Sequence, residues 1–224
     1  MRVPLLSILL AACLIMSGCS GKPYGQYRNE PMIGYVSALN EEDRAVTFDV
    51  SEWMKRDEQG TDIGDWGAEY TARVPPGTKL TNEAGARLKW EHLKLGQKVQ
   101  ILSSGGGKAA DAPEELMLMG MSERETLKRL GLFAGGEGSY RTTVLYGQGA
   151  KLPYDSDYLE REAPSVFEGG VGWLEYDPEY VLDLKKALDV GALPVFLVFD
   201  HEKLVVKTVR LANVVAFLDA VLEK

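Results

Sequence analysis

From Met32 to Met121 apolar and polar residues alternate with a period of two, and at Ser122 that period ends. A period of two sends successive side chains to opposite faces of a strand, so this stretch can bury one face only by forming sheets. Ala45-Val46-Thr47-Phe48-Asp49-Val50 alternates cleanly, and Glu69 to Val74 places Tyr70, Ala72 and Val74 on one face. Lys98 to Leu102 offers Val99 and Ile101, while Ile33 to Leu39 and Leu116 to Met121 are further strand segments. Asn40-Glu41-Glu42-Asp43 and Pro75-Pro76-Gly77 carry turn chemistry, and Trp90 to Gly96 reads as a connector. Short strands with turn signals predict an all-β small barrel or sandwich over residues 31–121.

The pattern then becomes helical. Ser122-Glu123-Arg124-Glu125 is a capping box, Leu127 and Leu130 follow, and Gly131 ends the helix. Residues 122–140 are thus a helix and a glycine-rich linker. Residues 141–224 read as α/β. Strands are expected over Thr142 to Tyr146 and Val171 to Tyr176. Asp177 and Pro178 then suit N-cap and N1 of a helix with Val181, Leu184 and Leu188 on one stripe, stopped by Gly191. Pro194 opens the apolar Val195 to Phe199, Asp200 to Lys203 forms a hairpin turn, and Leu204 to Val209 returns. Val214, Phe217, Leu218 and Val221 mark a final helix.

Residues 1–18 have the composition of a targeting segment. Arg2 is basic, and Val3 to Met16 is apolar apart from Ser7, shorter than the roughly 20 residues a membrane-spanning helix needs. Met16-Ser17-Gly18-Cys19 resembles the lipobox of bacterial lipoproteins, with Met16 where that family more often has leucine. The resemblance implies cleavage before Cys19, a diacylglycerol on its thiol, and a lipid-anchored protein on the extracytoplasmic face of the cell membrane. Residues 19–30 then form a polar tether.

Cleavage also disposes of the thiols. The chain has two cysteines, Cys13 and Cys19. The first leaves with the signal peptide and the second is capped by lipid, so no disulfide or dithiol centre remains. Residues 1–18 hold one basic residue and no acid, so the remainder has 24 basic and 33 acidic residues and a net charge of −9. That sign argues against nucleic acid as a partner, because phosphate contacts require Lys and Arg.

Two further resemblances concern fold. Gly34-Tyr35-Val36, Pro76-Gly77-Thr78-Lys79-Leu80-Thr81-Asn82 and Leu93-Lys94-Leu95-Gly96-Gln97-Lys98-Val99 are similar to the OB-like barrels of exported Gram-positive proteins. Asp177 to Glu223 resembles a thioredoxin-like domain: an acid, a helix, a Gly shortly before a Pro, an apolar strand opening at that Pro, a turn, a strand and a closing helix. In that family the proline is cis and faces the active site, a position matched by Pro194. The expected fold class is therefore two domains, an all-β OB-like barrel followed by an α/β thioredoxin-like domain.

Thioredoxins work through Cys-x-x-Cys, whose lowered thiol pKa supplies a nucleophilic thiolate. The corresponding region here, Gly147 to Phe167, has no cysteine; aligned on Ala163-Pro164, the pair would fall on Ser156 and Leu159. No catalytic residues and no cofactor are assigned. Pro194, Ser156, Asp157 and Tyr158 form a candidate binding groove. Asp155, Asp157, Glu160 and Glu162 are an acidic cluster better explained by the helix macrodipole than by calcium, so no metal is assigned. His92 and His201 read as surface histidines, and Trp53, Trp66 and Trp90 as core or rim packing with sugar or peptide binding as the alternative. The expected function is non-enzymatic binding or scaffolding, with the membrane and an envelope protein or cell-wall ligand as partners. The alternatives are a thioredoxin-related enzyme or chaperone using non-thiol groups near Pro194, or a peptide- or saccharide-binding module.

Overall fold

A computed structural model describes residues 31–56, 67–102 and 112–222. Residues 1–30, with Cys19 and the Met16-Ser17-Gly18 motif, lie outside the described residues, as does Trp66.

The alternating segments pair into one six-stranded sheet. Its strands are β1 (Met32–Asn40), β2 (Ala45–Asp49), β3 (Glu69–Arg73), β4 (Lys79–Asn82), β5 (Lys98–Leu102) and β6 (Glu115–Leu118), in the order β3-β2-β1-β5-β6-β4. The β1–β2 hairpin turns at 41–44, where the Asn40 side chain accepts the Asp43 amide at 3.1 Å and Arg44 takes a φ of 48°. One face of this sheet closes over Val46, Phe48, Ala72, Val74, Val99 and Leu116, each 0 % exposed.

After helix α2 (Glu123–Arg129) the chain builds a four-stranded sheet. Its strands are β7 (Arg141–Tyr146), β8 (Val171–Glu175), β9 (Val195–Phe199) and β10 (Leu204–Thr208), in the order β10-β9-β7-β8. β8 runs parallel to β7, and β9 antiparallel to it. β9 is buried along its whole length because both faces are covered. On one side Leu145, Leu197 and Phe199 meet α2 and α5 (Leu184–Ala187). On the other, Val144, Phe196 and Val198 meet α3 (Ser156–Glu162), α4 (Pro164–Glu168) and α6 (Leu211–Leu222).

This architecture corrects the expected fold class. The molecule is not an all-β barrel followed by a thioredoxin-like domain. It is a mixed α/β protein with two sheets, of six and four strands, and six α-helices among the described residues. A barrel requires its end strands to pair. Here β3 and β4 end the sheet order, no ladder joins them among the described residues, and β4 pairs in parallel with β6. Helix α1 (Ser51–Lys55) also interrupts the β succession. Alternation reports which face of a strand is buried, but not whether a sheet closes.

The helical layer of the second sheet also departs from expectation. The helix expected from Asp177 does not form there. Asp177 instead accepts the Glu179 amide at 2.8 Å, Val181 donates its amide to the Leu95 carbonyl at 2.8 Å, and the helix starts only at Leu184, capped by Asp183. A contact with the first sheet has outcompeted local helix propensity. The segment between β7 and β8 breaks likewise, at Ala163 before Pro164, into α3 and α4.

Candidate functional site

The two sheets meet at a seam organised by α2. Ser122 caps this helix through its hydroxyl, which accepts the Glu125 amide at 3.1 Å. Leu127 packs into the core of the second sheet, while Glu125 and Arg129 reach toward the first. Arg129 is held there by three partners. Its guanidinium lies 3.5 Å from the Tyr35 ring centroid, Nη2 lies 2.5 Å from Asp49 Oδ2, and Nη1 lies 3.5 Å from Glu52 Oε1. Lys98, 5.9 Å from the same ring, pairs with Glu125 at 2.8 Å.

Tyr35 therefore sits between two cations, each already matched by a carboxylate. The residue as a whole is 8 % exposed, and its hydroxyl, which makes no hydrogen bond to another described residue, is not among the sealed polar atoms and so reaches solvent. Burial pushes the phenol pKa up and the Glu52 charge adds to this, while Lys98 and Arg129 pull against it. The phenol thus stays protonated and remains a hydrogen-bond donor at neutral pH.

Tyr35 lines two hollows. One, of about 210 Å³, is bounded by Ile33, Tyr35, Glu52, Trp53, Arg56 and Lys98. The other, of about 350 Å³, reaches Ser37, Asp49, Gly96, Arg129 and Tyr180. The second is roofed from the far side of the seam. Tyr180 forms a parallel bridge with Leu95, and its ring fills the space that a Cβ on Gly96 would occupy.

Asp49 anchors the ionic network. Burial alone raises its carboxyl pKa, but the Ser51 hydroxyl and amide, together with Arg129, outweigh it and hold the pKa below the usual aspartate value. A group with a depressed folded pKa contributes stability that is complete above its unfolded pKa and is lost as pH falls through the folded one. Wild-type stability should therefore fall more steeply than that of Asp49→Asn below about pH 4, the ordinary aspartate range. Urea titrations from pH 6 to pH 2.5 measure this, and parallel curves would show that the Asp49 network does not contribute.

The residues singled out from sequence lie elsewhere. Pro194 is exposed at the start of β9, after a cis bond from Leu193. Ser156, Asp157 and Tyr158 form the first turn of α3, capped by Asp155, whose carboxylate accepts the Tyr158 amide at 2.8 Å. The link between them is aromatic: Tyr158 meets Tyr154 at 5.7 Å, and Tyr154 meets Phe196 of β9 at 5.2 Å between ring centroids. No hydrogen bond joins Pro194 to these three among the described residues. No group of three or more acids, histidines or cysteines able to hold a metal occurs among the described residues.

His92 Nδ1 accepts the Lys89 amide at 3.1 Å, and His201 lies in the exposed β9–β10 turn. Trp53 and Trp90 are buried, the latter beneath the Arg44 guanidinium at 5.0 Å. Sequence reasoning missed Tyr35, Asp49, Glu52, Lys98, Glu125 and Arg129. The available signal was the capped helix at Ser122, whose charged residues Glu125 and Arg129 reach the first sheet.

Among family models, curated proteins and solved structures, none matches this chain. The fold and seam define it only as a two-sheet mixed α/β protein with an ionic joint around a buried tyrosine.

Proposed function

We propose that the chain is an extracytoplasmic lipoprotein, held to the cell membrane through lipid on Cys19, whose two-sheet body is a non-enzymatic binding or scaffolding module of the cell envelope. The anchoring half of this reading is supported by Arg2, the apolar run Val3 to Met16, and Met16-Ser17-Gly18-Cys19. Diacylglycerol on the cysteine suffices for stable attachment, because two acyl chains hold where one holds only marginally. The binding half is carried by one observation: the Tyr35 ring is packed into the seam while its hydroxyl, without a protein partner among the described residues, opens to solvent where Tyr35 lines two hollows. Its flanking cations are already paired with carboxylates, so the site favours an uncharged polar ligand, such as a saccharide or the amides of a cell-wall peptide, over an anion.

Metabolic labelling with radioactive palmitate tests the anchor. The wild-type chain should be labelled and recovered with membranes, and Cys19→Ser should be neither. A mature chain that keeps Cys13 overturns the assignment. N-acetylglucosamine oligomers and a synthetic wall peptide are the probes for the seam. They should raise the melting temperature of the wild type but not of Tyr35→Phe, and equal shifts in the two proteins would place binding elsewhere.

A further inference from the structure

Both sheets end in strands with one free side, and three of these four edges are guarded. β3 carries Glu69, Thr71 and Arg73, all exposed. β4 is covered by residues 86–88, through a Thr81–Arg87 bridge and the Leu88 amide on the Leu80 carbonyl. β10 has a bulge between Leu204 and Val206, and Lys207. Charges, bulges and covering segments are the devices that stop an edge from recruiting another strand. β8 lacks them: Val171-Gly172-Trp173-Leu174 is uncharged, its one acid is the terminal Glu175, and no strand pairs with its outer side among the described residues.

Arg141 lies next to this edge. It belongs to β7, yet its guanidinium crosses over β8. Nη2 is 3.4 Å from where a Cβ on Gly172 would stand, and Nη1 is 3.9 Å from that of Gly170. The absence of side chains at these glycines gives the guanidinium its path toward the free edge. Its Nε is buried and unbonded, and the side chain makes no ion pair or hydrogen bond among the described residues. An unsatisfied buried donor is costly, and this one sits in a chain of net charge −8.

We propose that the outer edge of β8 accepts an extended acidic peptide segment as an added strand, with one of its carboxylates bound by Arg141. Main-chain hydrogen bonds along β8 supply the docking, and the charge-assisted pair supplies the preference. A second copy of this chain does not fit the same role. Two-fold self-pairing of β8 always sets even-numbered residues opposite even-numbered ones. The face bearing Arg141 would then meet Gly170, Gly172, Leu174 and Tyr176, none of them an acid.

Fluorescence anisotropy on the full chain in detergent tests this with three labelled seven-residue peptides. The first alternates Glu with Val and Thr, the second replaces each Glu by Gln, and the third is the Glu peptide with alternate backbone amides N-methylated. The Glu peptide should bind at least roughly ten-fold more tightly than the Gln peptide, and the N-methylated peptide should not bind. Arg141→Gln should abolish the Glu preference. Gly172→Asp, which sets a carboxylate beneath the guanidinium from within the chain, should do the same and serves if Arg141→Gln does not fold. The proposal fails if no peptide binds, if Glu and Gln peptides bind equally to the wild type, if the preference survives in a folded variant, or if N-methylation leaves binding intact.

Discussion

Gly96→Ala should destabilise the protein by about 3 kcal/mol and loosen the seam between the sheets. Two costs combine. Gly96 has a φ of +77°, a left-handed conformation that charges a side-chain-bearing residue roughly 1–2 kcal/mol. The added methyl would also overlap the Tyr180 ring, so Tyr180 has to leave. With it go the Leu95–Tyr180 bridge and the bond from the Val181 amide to the Leu95 carbonyl, at roughly 1 kcal/mol per hydrogen bond. Urea denaturation measures the total. Amide exchange locates it: Val181 should lose protection in the variant while Val46 and Phe48 keep theirs. Tyr180→Ala combined with Gly96→Ala should cost less than the sum of the two, because the overlap is already gone in the double variant. Strict additivity would mean that the two residues do not meet.

Phe196→Ala should cost about 3–5 kcal/mol. Phe196 is 1 % exposed in the middle strand of β10-β9-β7 and packs with Val144, Val166, Val214 and Leu218. No neighbour can collapse into the hole cheaply, since β9 is covered on both faces. The change should also reach α3, because Tyr154 rests on Phe196 and Tyr158 on Tyr154. The urea midpoint reports the first effect, and amide exchange over 156–162 the second. A midpoint close to wild type would show that the second sheet does not depend on this face.

What the sequence made legible follows from the range of the forces involved. Strand positions were readable because the period of two is local: β2 and β5 fall where Ala45 to Val50 and Lys98 to Leu102 alternate. The Ser122 cap and the Asp200 turn were readable because a side chain bonds a backbone amide within three residues of itself. The parallel pairing of β4 with β6 was not, since register between Lys79 and Glu115 leaves no local mark. The helix expected at Asp177 was lost for a related reason: Val181 found a better partner in Leu95, 86 positions away. The seam was hidden because Arg129, Asp49 and Tyr35 have ordinary surface or core character taken singly. Only the fold brings the Arg129 guanidinium within 3.5 Å of both the Asp49 carboxylate and the Tyr35 ring centroid.

The parallel pairing of β4 with β6 has a consequence in time. Every other ladder of the first sheet is antiparallel, but β4 must wait for a strand 36 residues further along. Contacts that close long loops form late, because the entropy of closure is spent before the pairing repays it. The β1–β2 hairpin can form as soon as Asp49 has left the ribosome, whereas β4, bonded locally only to residues 86–88, lacks its partner in the sheet until Leu118 has emerged. Until then Leu80, 5 % exposed in the finished fold, faces water. In the interval between those two events the unpaired side of β4 is open to aggregation and to proteases.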